Sequence, residues 1–299
     1  RQMIWLDVLV QGILLGGLYY LLAAGLSLVF GIMRLVNLAH GDLIVFAAFA
    51  ILLITATLGL NPFFAALLAA PLMFAAGWAL QRFVLNRVLG KDILPPLLVT
   101  FGLSVALQNG MLEAFSADSQ RLAVGPLESA SINLGIVTVG TLPLLTFASA
   151  VAAIFVLNRI FYRTALGRAF RAVSDDPTTA SLMGLNPKSV FAIATGLAMV
   201  IVTLAALYLG MRANFDPSIG PARLLYAFQA AIIGGLGSLW GTLAGGAIIG
   251  IAQTFGAQIN PVRAVFLFIE RRKLRARHPG QHPGQHFEQG HLLAQLAQH

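Results

Sequence analysis

The sequence predicts an all-α fold, a polytopic bundle of transmembrane helices. Hydrophobic residues make up 58% of the 299 residues and charged residues only 10%, whereas about a quarter of a soluble domain is charged. Charge-free runs such as Val8–Met33 and Ser189–Met211 reach the roughly 20 residues that a helix needs to cross a bilayer. Because these runs lack the alternation of membrane strands, and unpaired backbone groups are costly in lipid, helix is predicted for all of them.

The charge-free runs predict about seven spans plus a broken glycine-rich helix. The turn Gly59–Pro62 joins the second and third spans into a hairpin, since it places a proline where the next helix begins. In the final element, Gly234, Gly235 and Gly237 precede Ser238 and predict a break into a half-helix and a full span. The spans are expected near 8–33, 43–60, 62–81, 93–113, 135–157 and 189–211, with the final element at 225–259.

Gly237, Gly241 and Gly245 are spaced four apart in the final element and predict a flat ridge on one helix face. Such ridges let helix backbones approach closely in lipid. The glycines can serve packing alone, or they can also line a transport pathway, and the sequence does not separate these two interpretations.

Lysine and arginine are distributed unevenly between the loops. Nine lie on one side of the predicted bundle and four on the other, and cytoplasmic loops carry the excess of positive charge. The N-terminus is therefore expected outside and the C-terminal tail in the cytoplasm. The net charge of +8 is explained by this distribution and not by nucleic-acid binding. The nine are Arg34, Arg82, Arg87, Lys91, Arg159, Arg163, Arg168, Arg171 and Lys188.

Several kinds of chemistry find no support in the sequence. The only Gly-Lys pair, Gly90–Lys91, has no glycine-rich phosphate loop before it, so this chain is not expected to use ATP by itself. No helix centre is expected to hold a charged residue, which weakens an ion-driven mechanism. Neither a catalytic residue, nor a metal site, nor a cofactor is predicted.

A polar interruption, Asn37, His40, Gly41 and Asp42, separates the first two spans. No nucleophile lies beside it, so a hydrolytic site is not predicted. One interpretation is a helix break in which Asn37 caps the end of the first span, Gly41 adopts a special backbone conformation and Asp42 stabilises the start of the second span. The other, which is compatible, is that the break borders a transport pathway, as broken helices do in many transporters.

The predicted cytoplasmic segment between the fifth and sixth spans, Tyr162–Val190, has internal organisation. Gly167 opens it, Asp175–Pro177 forms a capped turn, a short helix follows and Gly184 ends that helix. We interpret the segment as a docking element for a soluble partner; the alternative is an ordinary basic loop.

Three segments carry a family resemblance: "VFGIMRLVNLAHGDLIVFAAFA", "GRAFRAVSDDPTTASLMGLNP" and "AFQAAIIGGLGSLWGTLAGG". In this order they resemble the permease subunit of branched-chain amino-acid ABC importers, the LivH type, from about residue 8 to 260. The resemblance implies a bacterial inner-membrane subunit without enzymatic activity, which works with two cytoplasmic ATP-binding subunits, a second related permease and a periplasmic substrate-binding protein.

Because broken helices line many transport pathways, the pathway is expected near Asn37, His40, Gly41 and Asp42 and near Gly234, Gly235, Gly237 and Ser238. The resemblance assigns a role to the cytoplasmic segment. The coupling element for the ATP-binding subunits is expected at Gly167, Arg168, Arg171, Ala172, Asp175, Pro177, Ala180 and Gly184. The alternative function is a self-contained secondary carrier or channel for a small polar solute such as urea or a short amide.

The C-terminal segment departs from the resemblance. Residues 1–262 are predicted to form the permease domain, and 263–299 an atypical basic tail rich in histidine and glutamine, disordered or out of frame, in place of a final span. A weak divalent-metal site at His278, His282 and His286 is the less favoured interpretation of this tail.

Overall fold

The computed structural model describes residues 2–90, 92, 94–128, 130–133 and 138–277. Helices account for most of this part of the chain, and a two-stranded antiparallel sheet pairs Ser131 with Gly140. The elements are α1 (Gln2–Met33), α2 (His40–Leu58), α3 (Pro62–Ala79), a π-helical turn (Leu80–Leu85), α4 (Asn86–Val88), α5 (Leu94–Phe115), a 3₁₀ turn (Gly125–Leu127), β1 (Ser131–Asn133), β2 (Thr138–Gly140), α6 (Thr141–Arg163), α7 (Ala165–Asp175), α8 (Pro177–Leu182), α9 (Pro187–Arg212), α10 (Gly220–Gly234) and α11 (Leu239–Arg277).

The helices confirm a polytopic membrane fold. Within the described residues, six helices are long and apolar enough to cross a bilayer. A seventh span is counted if α10 and the apolar part of α11 are taken together, because these two helices meet at a bend of 117°. The break in the glycine-rich element is therefore confirmed, and it lies between Gly234 and Leu239 as predicted.

Helices α1 and α9 form the centre of the bundle, whereas α3, α5 and α6 have most of their residues on its surface. Small residues bring α1 against α11. A Cβ atom on Gly16 would lie 2.5 Å from the Cα of Ala247, and one on Gly250 would lie 2.2 Å from the carbonyl oxygen of Gly12. Side chains larger than hydrogen at these positions would separate the two helices, as expected for close glycine packing in lipid.

The predicted ridge of Gly237, Gly241 and Gly245 also packs closely, but chiefly within the bent pair. A Cβ atom on Gly241 would lie 1.8 Å from the carbonyl oxygen of Gly234, and one on Gly245 would lie 2.2 Å from that of Ala230. The ridge therefore holds α11 against α10.

The hairpin of α2 and α3 forms where the sequence predicts it. Gly59 adopts φ 62° at the end of α2, and the Asn61 side chain accepts a 3.1 Å hydrogen bond from the Phe63 backbone N–H. Pro62 occupies the first position of α3, where its missing N–H costs no hydrogen bond.

The fifth span lies later in the chain than predicted. The expected range was 135–157, but the helix runs from Thr141 to Arg163. Residues 138–140 pair with β1 and so cannot join the helix, and Pro143 lies in its first turn, where proline is tolerated. The helix then continues through Ile160 and Phe161, which pack against the core.

The chain divides into two compact units with the boundary after Phe255. Helix α11 continues to Arg277, so residues 263–277 of the predicted disordered tail are helical. The remaining tail residues, 278–299, including His278, His282 and His286, lie outside the described residues.

Candidate transport pathway and coupling element

The polar break between α1 and α2 lies inside the bundle. The His40 Nε2 atom is 2.8 Å from the carbonyl oxygen of Leu22, which lies about 16 Å along α1 from its end at Met33. The chain therefore turns back along α1 before α2 begins. His40 and Asp42 are both buried, so the break is not a turn at the surface of the bundle.

Asn37 does not cap α1 as predicted. Its side-chain oxygen accepts a 3.0 Å hydrogen bond from the backbone N–H of Ala39, two residues later. This local turn orders the segment that leads into α2, as asparagine side chains commonly do. The buried Asn37 thus supports the start of the second helix and not the end of the first.

Asp42 lies in the first turn of α2, as predicted, but it is fully buried. Its Oδ2 accepts a 2.5 Å hydrogen bond from Ser104, which lies halfway along α5, and Ser104 accepts a 3.2 Å hydrogen bond from Gln108. The charge lies in the first turn of α2 and not at a helix centre, but the reversal after α1 places it within the bundle, beside the middle of α5.

The second carboxylate oxygen of Asp42, Oδ1, is buried and has no hydrogen-bond partner in the described part of the chain. It faces Gly220, the first residue of α10, where a Cβ atom would lie 2.0 Å from it. A buried acceptor without a partner is costly, and buried polar groups inside membrane bundles are typical of functional sites.

Gly41 is required for space and not for a special backbone conformation. It lies within helix α2 and is not among the glycines with positive φ. A Cβ atom on Gly41 would lie 2.0 Å from the carbonyl oxygen of Gly220. The glycine therefore permits α2 and α10 to touch beside Asp42.

The second break, Gly234–Ser238, depends on backbone conformation. Gly235 and Gly237 adopt φ values of 88° and 90°, which L side chains rarely adopt. Ser238 Oγ accepts a 3.1 Å hydrogen bond from the Gly241 N–H and so caps α11. The break is fastened to α1, because the Gly237 N–H donates to Ser27 Oγ at 3.2 Å, and Thr242 Oγ1 donates to the same atom at 3.0 Å.

A cavity of about 160 Å³ opens beside this second break. It lies between α1, the end of α6 and the first turn of α11. Polar and aromatic groups line it together with glycine backbone, including Ser27, Gly31, Tyr162, Gly237, Ser238 and Trp240.

The segment predicted to dock a partner folds into α7 and α8. Thr164 Oγ1 caps α7 by accepting from the Gly167 N–H at 3.1 Å. Asp176 caps α8 by accepting from the N–H groups of Thr178 and Thr179 at 2.9 and 3.1 Å. Hydrogen bonds from the Thr179 hydroxyl and from these two N–H groups hold the pKa of Asp176 below its usual range. Gly184 ends this segment at φ 86°.

Of the eight residues assigned to the coupling element, two are buried, one is half-buried and five are exposed. Gly167 and Ala180 are buried and anchor the two helices; a Cβ atom on Gly167 would lie 2.1 Å from the Phe161 carbonyl oxygen. Arg171 is half-buried, donates to the same carbonyl oxygen and lies 5.4 Å from the Tyr162 ring centre. The other five are exposed: Arg168, Ala172, Asp175, Pro177 and Gly184.

Sequence reasoning missed Leu182 and Met183 at the end of α8. They are 82% and 81% exposed, and they form an apolar tip beside the five exposed residues. In the sequence they are an apolar pair directly before Gly184. A buried pair would have the same sequence, so their exposure was not predictable.

The α7–α8 segment touches the second break through α1. Ser174 Oγ donates a 2.8 Å hydrogen bond to the carbonyl oxygen of Gly31. On the other side of Gly31, a Cβ atom on Gly237 would lie 3.0 Å from the Gly31 Cα. Helix α7 and the glycine break therefore approach the same residue of α1.

Residues 8–269 match the family described as the permease component of the branched-chain amino acid transport system. The chain belongs to this permease family. It is thus a multi-pass membrane transport protein, and its family is one of permeases and not of enzymes.

Individual relatives are similar to this permease over most of their length. It is 31% identical to the high-affinity branched-chain amino acid transport system permease protein BraD of Pseudomonas aeruginosa, covering 85% of this chain and 87% of the relative. It is 28% identical to the corresponding protein LivH of Escherichia coli, with 85% and 86% covered. A probable branched-chain amino acid permease of Methanocaldococcus jannaschii is 26% identical, with 83% and 79% covered. No solved structure matches the permease.

Proposed function

We propose that the permease is the membrane subunit of an ATP-driven importer that moves branched-chain or related small amino acids across the bacterial inner membrane. The family and the names of the relatives support this substrate class. The proposed assembly contains two cytoplasmic ATP-binding subunits, a second related permease subunit and a periplasmic substrate-binding protein.

The proposed orientation places the N-terminus outside and α7–α8 in the cytoplasm. It follows from the excess of lysine and arginine on the α7–α8 side of the sequence. The exposed pair Leu182 and Met183 agrees with this placement, because an apolar tip on a water-exposed segment is typical of a protein-binding surface.

The single observation that carries the mechanism is the contact of Ser174 with Gly31 and of Gly31 with Gly237. ATP binding and hydrolysis on the partner subunits would move α7–α8. Because Ser174 holds the α1 backbone next to Gly237, the movement would change the bend between α10 and α11. The bundle would then open the pathway on alternate sides of the membrane.

The polar break places polar side chains along the proposed pathway. Asp42 and His40 lie within the bundle, and Asp42 has an oxygen without a partner. This oxygen could accept a hydrogen bond from the ammonium group of an amino acid as it passes. The permease itself would carry out no covalent step.

The same buried Asp42 favours a second candidate function, a self-contained secondary carrier. Carriers driven by ions or protons commonly use buried acidic residues. Under this alternative the carboxylate would take up the coupling ion, and no ATP-binding subunit would be needed.

Co-purification and uptake separate the two functions. The permease, expressed with the proteins encoded beside it, is expected to bring down ATP-binding subunits, and uptake of labelled leucine is expected to stop when their nucleotide site is disabled. Uptake by the permease alone in liposomes, driven by an ion gradient, would overturn the importer.

Charge reversal at Arg168 and Arg171 tests the docking surface. The double variant is expected to bring down less of the ATP-binding subunits while inserting normally. Arg168→Glu alone isolates the surface charge, because Arg168 is exposed whereas Arg171 also holds the Phe161 carbonyl oxygen. An unchanged pull-down from both variants would contradict the assignment.

A further inference from the structure

Two arginines, Arg212 and Arg223, carry buried nitrogen atoms that have no hydrogen-bond partner among the described residues. Arg212 is the last residue of α9, and Arg223 lies in the first turns of α10. Nη1 of Arg212 and Nε of Arg223 are both buried and donate to no atom in the described part of the chain. Each residue is nevertheless only half-buried.

Neither arginine has a carboxylate partner. Among the described residues, the ion pair within 4.0 Å joins Arg121 to Glu128 at 3.2 Å. Asp216 is the acidic residue that interacts electrostatically with Arg223, but its Oδ1 already accepts from the N–H and hydroxyl of Ser218. Asp216 therefore acts on Arg223 without forming an ion pair with it, and neither guanidinium group is paired with a carboxylate among the described residues.

The two arginines converge on one polar cluster. Both guanidinium groups interact electrostatically with the hydroxyl of Tyr19, in the middle part of α1. The Tyr19 ring stacks on Tyr226 of α10 at 5.2 Å between ring centres, and its hydroxyl donates to the Gln253 side chain of α11. Tyr19, Tyr226 and Gln253 thus form one contact group between α1, α10 and α11, and both arginines act on its Tyr19.

A positive cluster of this kind is expensive inside a membrane protein. Charged side chains within spans are rare, and they pair with one another, with backbone oxygens or with a ligand. The described residues offer no anion to Arg212 and Arg223 within ion-pair distance. An anion from outside the chain can therefore pair with the free N–H groups.

We propose that Arg212 and Arg223 form an anion site, which takes the carboxylate group of the amino acid that the permease transports. Guanidinium groups bind planar oxyanions through two parallel hydrogen bonds, and arginine is the preferred residue for this recognition. This inference rests on the proposed function and deepens it, since it names the part of the substrate that is recognised. Arg212 ends α9 on the proposed outer side, and Arg223 lies one helical turn from Gly220, which touches Asp42. The site therefore lies between the proposed outer side and the polar break.

The phosphate of an anionic lipid has the same chemistry as a ligand, because it also presents negatively charged oxygens to a guanidinium pair. The two sources differ in what they require. A carboxylate is supplied by soluble amino acids at any lipid composition, whereas a lipid phosphate is present only when anionic lipid is.

Thermal stabilisation of the purified transporter, without its binding protein, tests the site directly. The probes are leucine, isovalerate, which keeps a carboxylate but lacks the amino group, and leucinamide, which lacks the carboxylate. In neutral phosphatidylcholine nanodiscs, leucine and isovalerate are expected to raise the melting temperature and leucinamide is not. The shift should be lost in R212Q and R223Q and kept in R121Q, a paired, exposed arginine.

The conservative variants R212K and R223K keep the experiment decisive if a glutamine variant does not fold. Lysine retains the charge but not the two parallel N–H groups, so the half-saturating leucine concentration is expected to rise about tenfold. An unchanged leucine response in R212K and R223K, or equal stabilisation by leucinamide, would overturn the carboxylate site.

Two other outcomes would identify a different anion as the ligand of this site. Arginine-dependent stabilisation by phosphatidylglycerol, with no response to leucine or isovalerate, would assign the site to lipid and overturn the proposal. Loss of binding-protein pull-down in R212Q/R223Q, with the leucine response intact, would assign it to an acidic residue of that partner. Because none of these measurements depends on ATP-driven uptake, failure of the importer function would be recognised separately.

Discussion

The permease interrupts its helices twice, and the two breaks are made in different ways. Between α1 and α2 the polar side chains Asn37, His40 and Asp42 stabilise the break, and Asp42 is fully buried with one oxygen free. Between α10 and α11 the backbone makes the break, through Gly235 and Gly237 at positive φ. The first break supplies chemistry inside the bundle, whereas the second supplies a bend that touches the α7–α8 segment through Gly31.

The difference indicates that the two breaks have different roles. A side chain can contact a solute but cannot easily change the direction of a helix, and a glycine bend can change direction but offers only backbone groups. Both breaks lie against α1, the polar one at Leu22 and the glycine one at Ser27 and Gly31. Helix α10 also connects them, because it begins at Gly220 beside Asp42 and ends at Gly234. A bend at one break can therefore reach the other through either helix.

The largest effect is expected from alanine at Gly41, compared with alanine at Gly235. A Cβ atom on Gly41 meets the α10 backbone at 2.0 Å, so the helices must separate, at a cost of about 3 kcal/mol or more. Gly235 has open space around it, and alanine there adds only backbone strain of about 1 to 3 kcal/mol. The apparent melting temperature in detergent should fall further for Gly41→Ala. The reverse order would show that the close contact of α2 with α10 is misplaced.

Asp42→Asn is expected to have the next largest effect. It removes the negative charge from the polar break and keeps the shape of the side chain. If the carboxylate contacts the solute, leucine uptake should fall about tenfold while the ATP-binding subunits still co-purify. Ser104→Ala is the matched control, since it removes the 2.5 Å hydrogen bond to Oδ2 but keeps the charge. If Asp42 only stabilises the start of α2, about 0.3 to 1 kcal/mol is lost and uptake stays within twofold.

Some of this arrangement follows from local sequence signals, and some does not. The hairpin at Gly59–Pro62 and the break at Gly234–Ser238 depend on glycine and proline within a few residues, so their positions were predictable. The depth of Asp42 was not, because it depends on the packing of residues 34–39 back along α1. The convergence of Arg212 and Arg223 on Tyr19 joins residues about 200 positions apart, and no local pattern reports it.

The cap of α8 shows that even a short-range feature can be ambiguous in the sequence. The sequence placed a capped turn at Asp175–Pro177, and the structure assigns the cap to Asp176, which accepts from Thr178 and Thr179. Either aspartate fits the signal of an acidic residue before a proline. Only the backbone conformation decides which of them points its carboxylate at the free N–H groups.

A smaller effect, specific to the glycine break, is expected from Ser174→Ala. It removes the hydrogen bond to Gly31 but leaves the exposed surface of α7 and α8 unchanged. Pull-down of the ATP-binding subunits should be normal, while uptake per ATP hydrolysed falls two- to fivefold, as expected for the loss of one hydrogen bond of about 1 kcal/mol. Ser181→Ala is the control, because its hydroxyl donates within the α8 segment to Thr178. Equal effects of the two variants would exclude a specific role for the Ser174 contact.

The smallest effect is expected from Asp176→Asn, at the junction of α7 and α8. Because hydrogen bonds lower the pKa of Asp176, its contribution to α8 is complete above the usual aspartate value of about 3.9. The contribution is lost only as the pH falls through the lower pKa of the folded protein. Asparagine caps a helix about as well as aspartate, so the ratio of variant to native ATP-binding-subunit pull-down should stay within twofold and constant from pH 7.5 to 5. Asp176→Ala should bind less at every pH in this range. A ratio for Asp176→Asn that changes between pH 7.5 and 5 would mean that the carboxylate titrates there, and that it is not held by the α8 N–H groups.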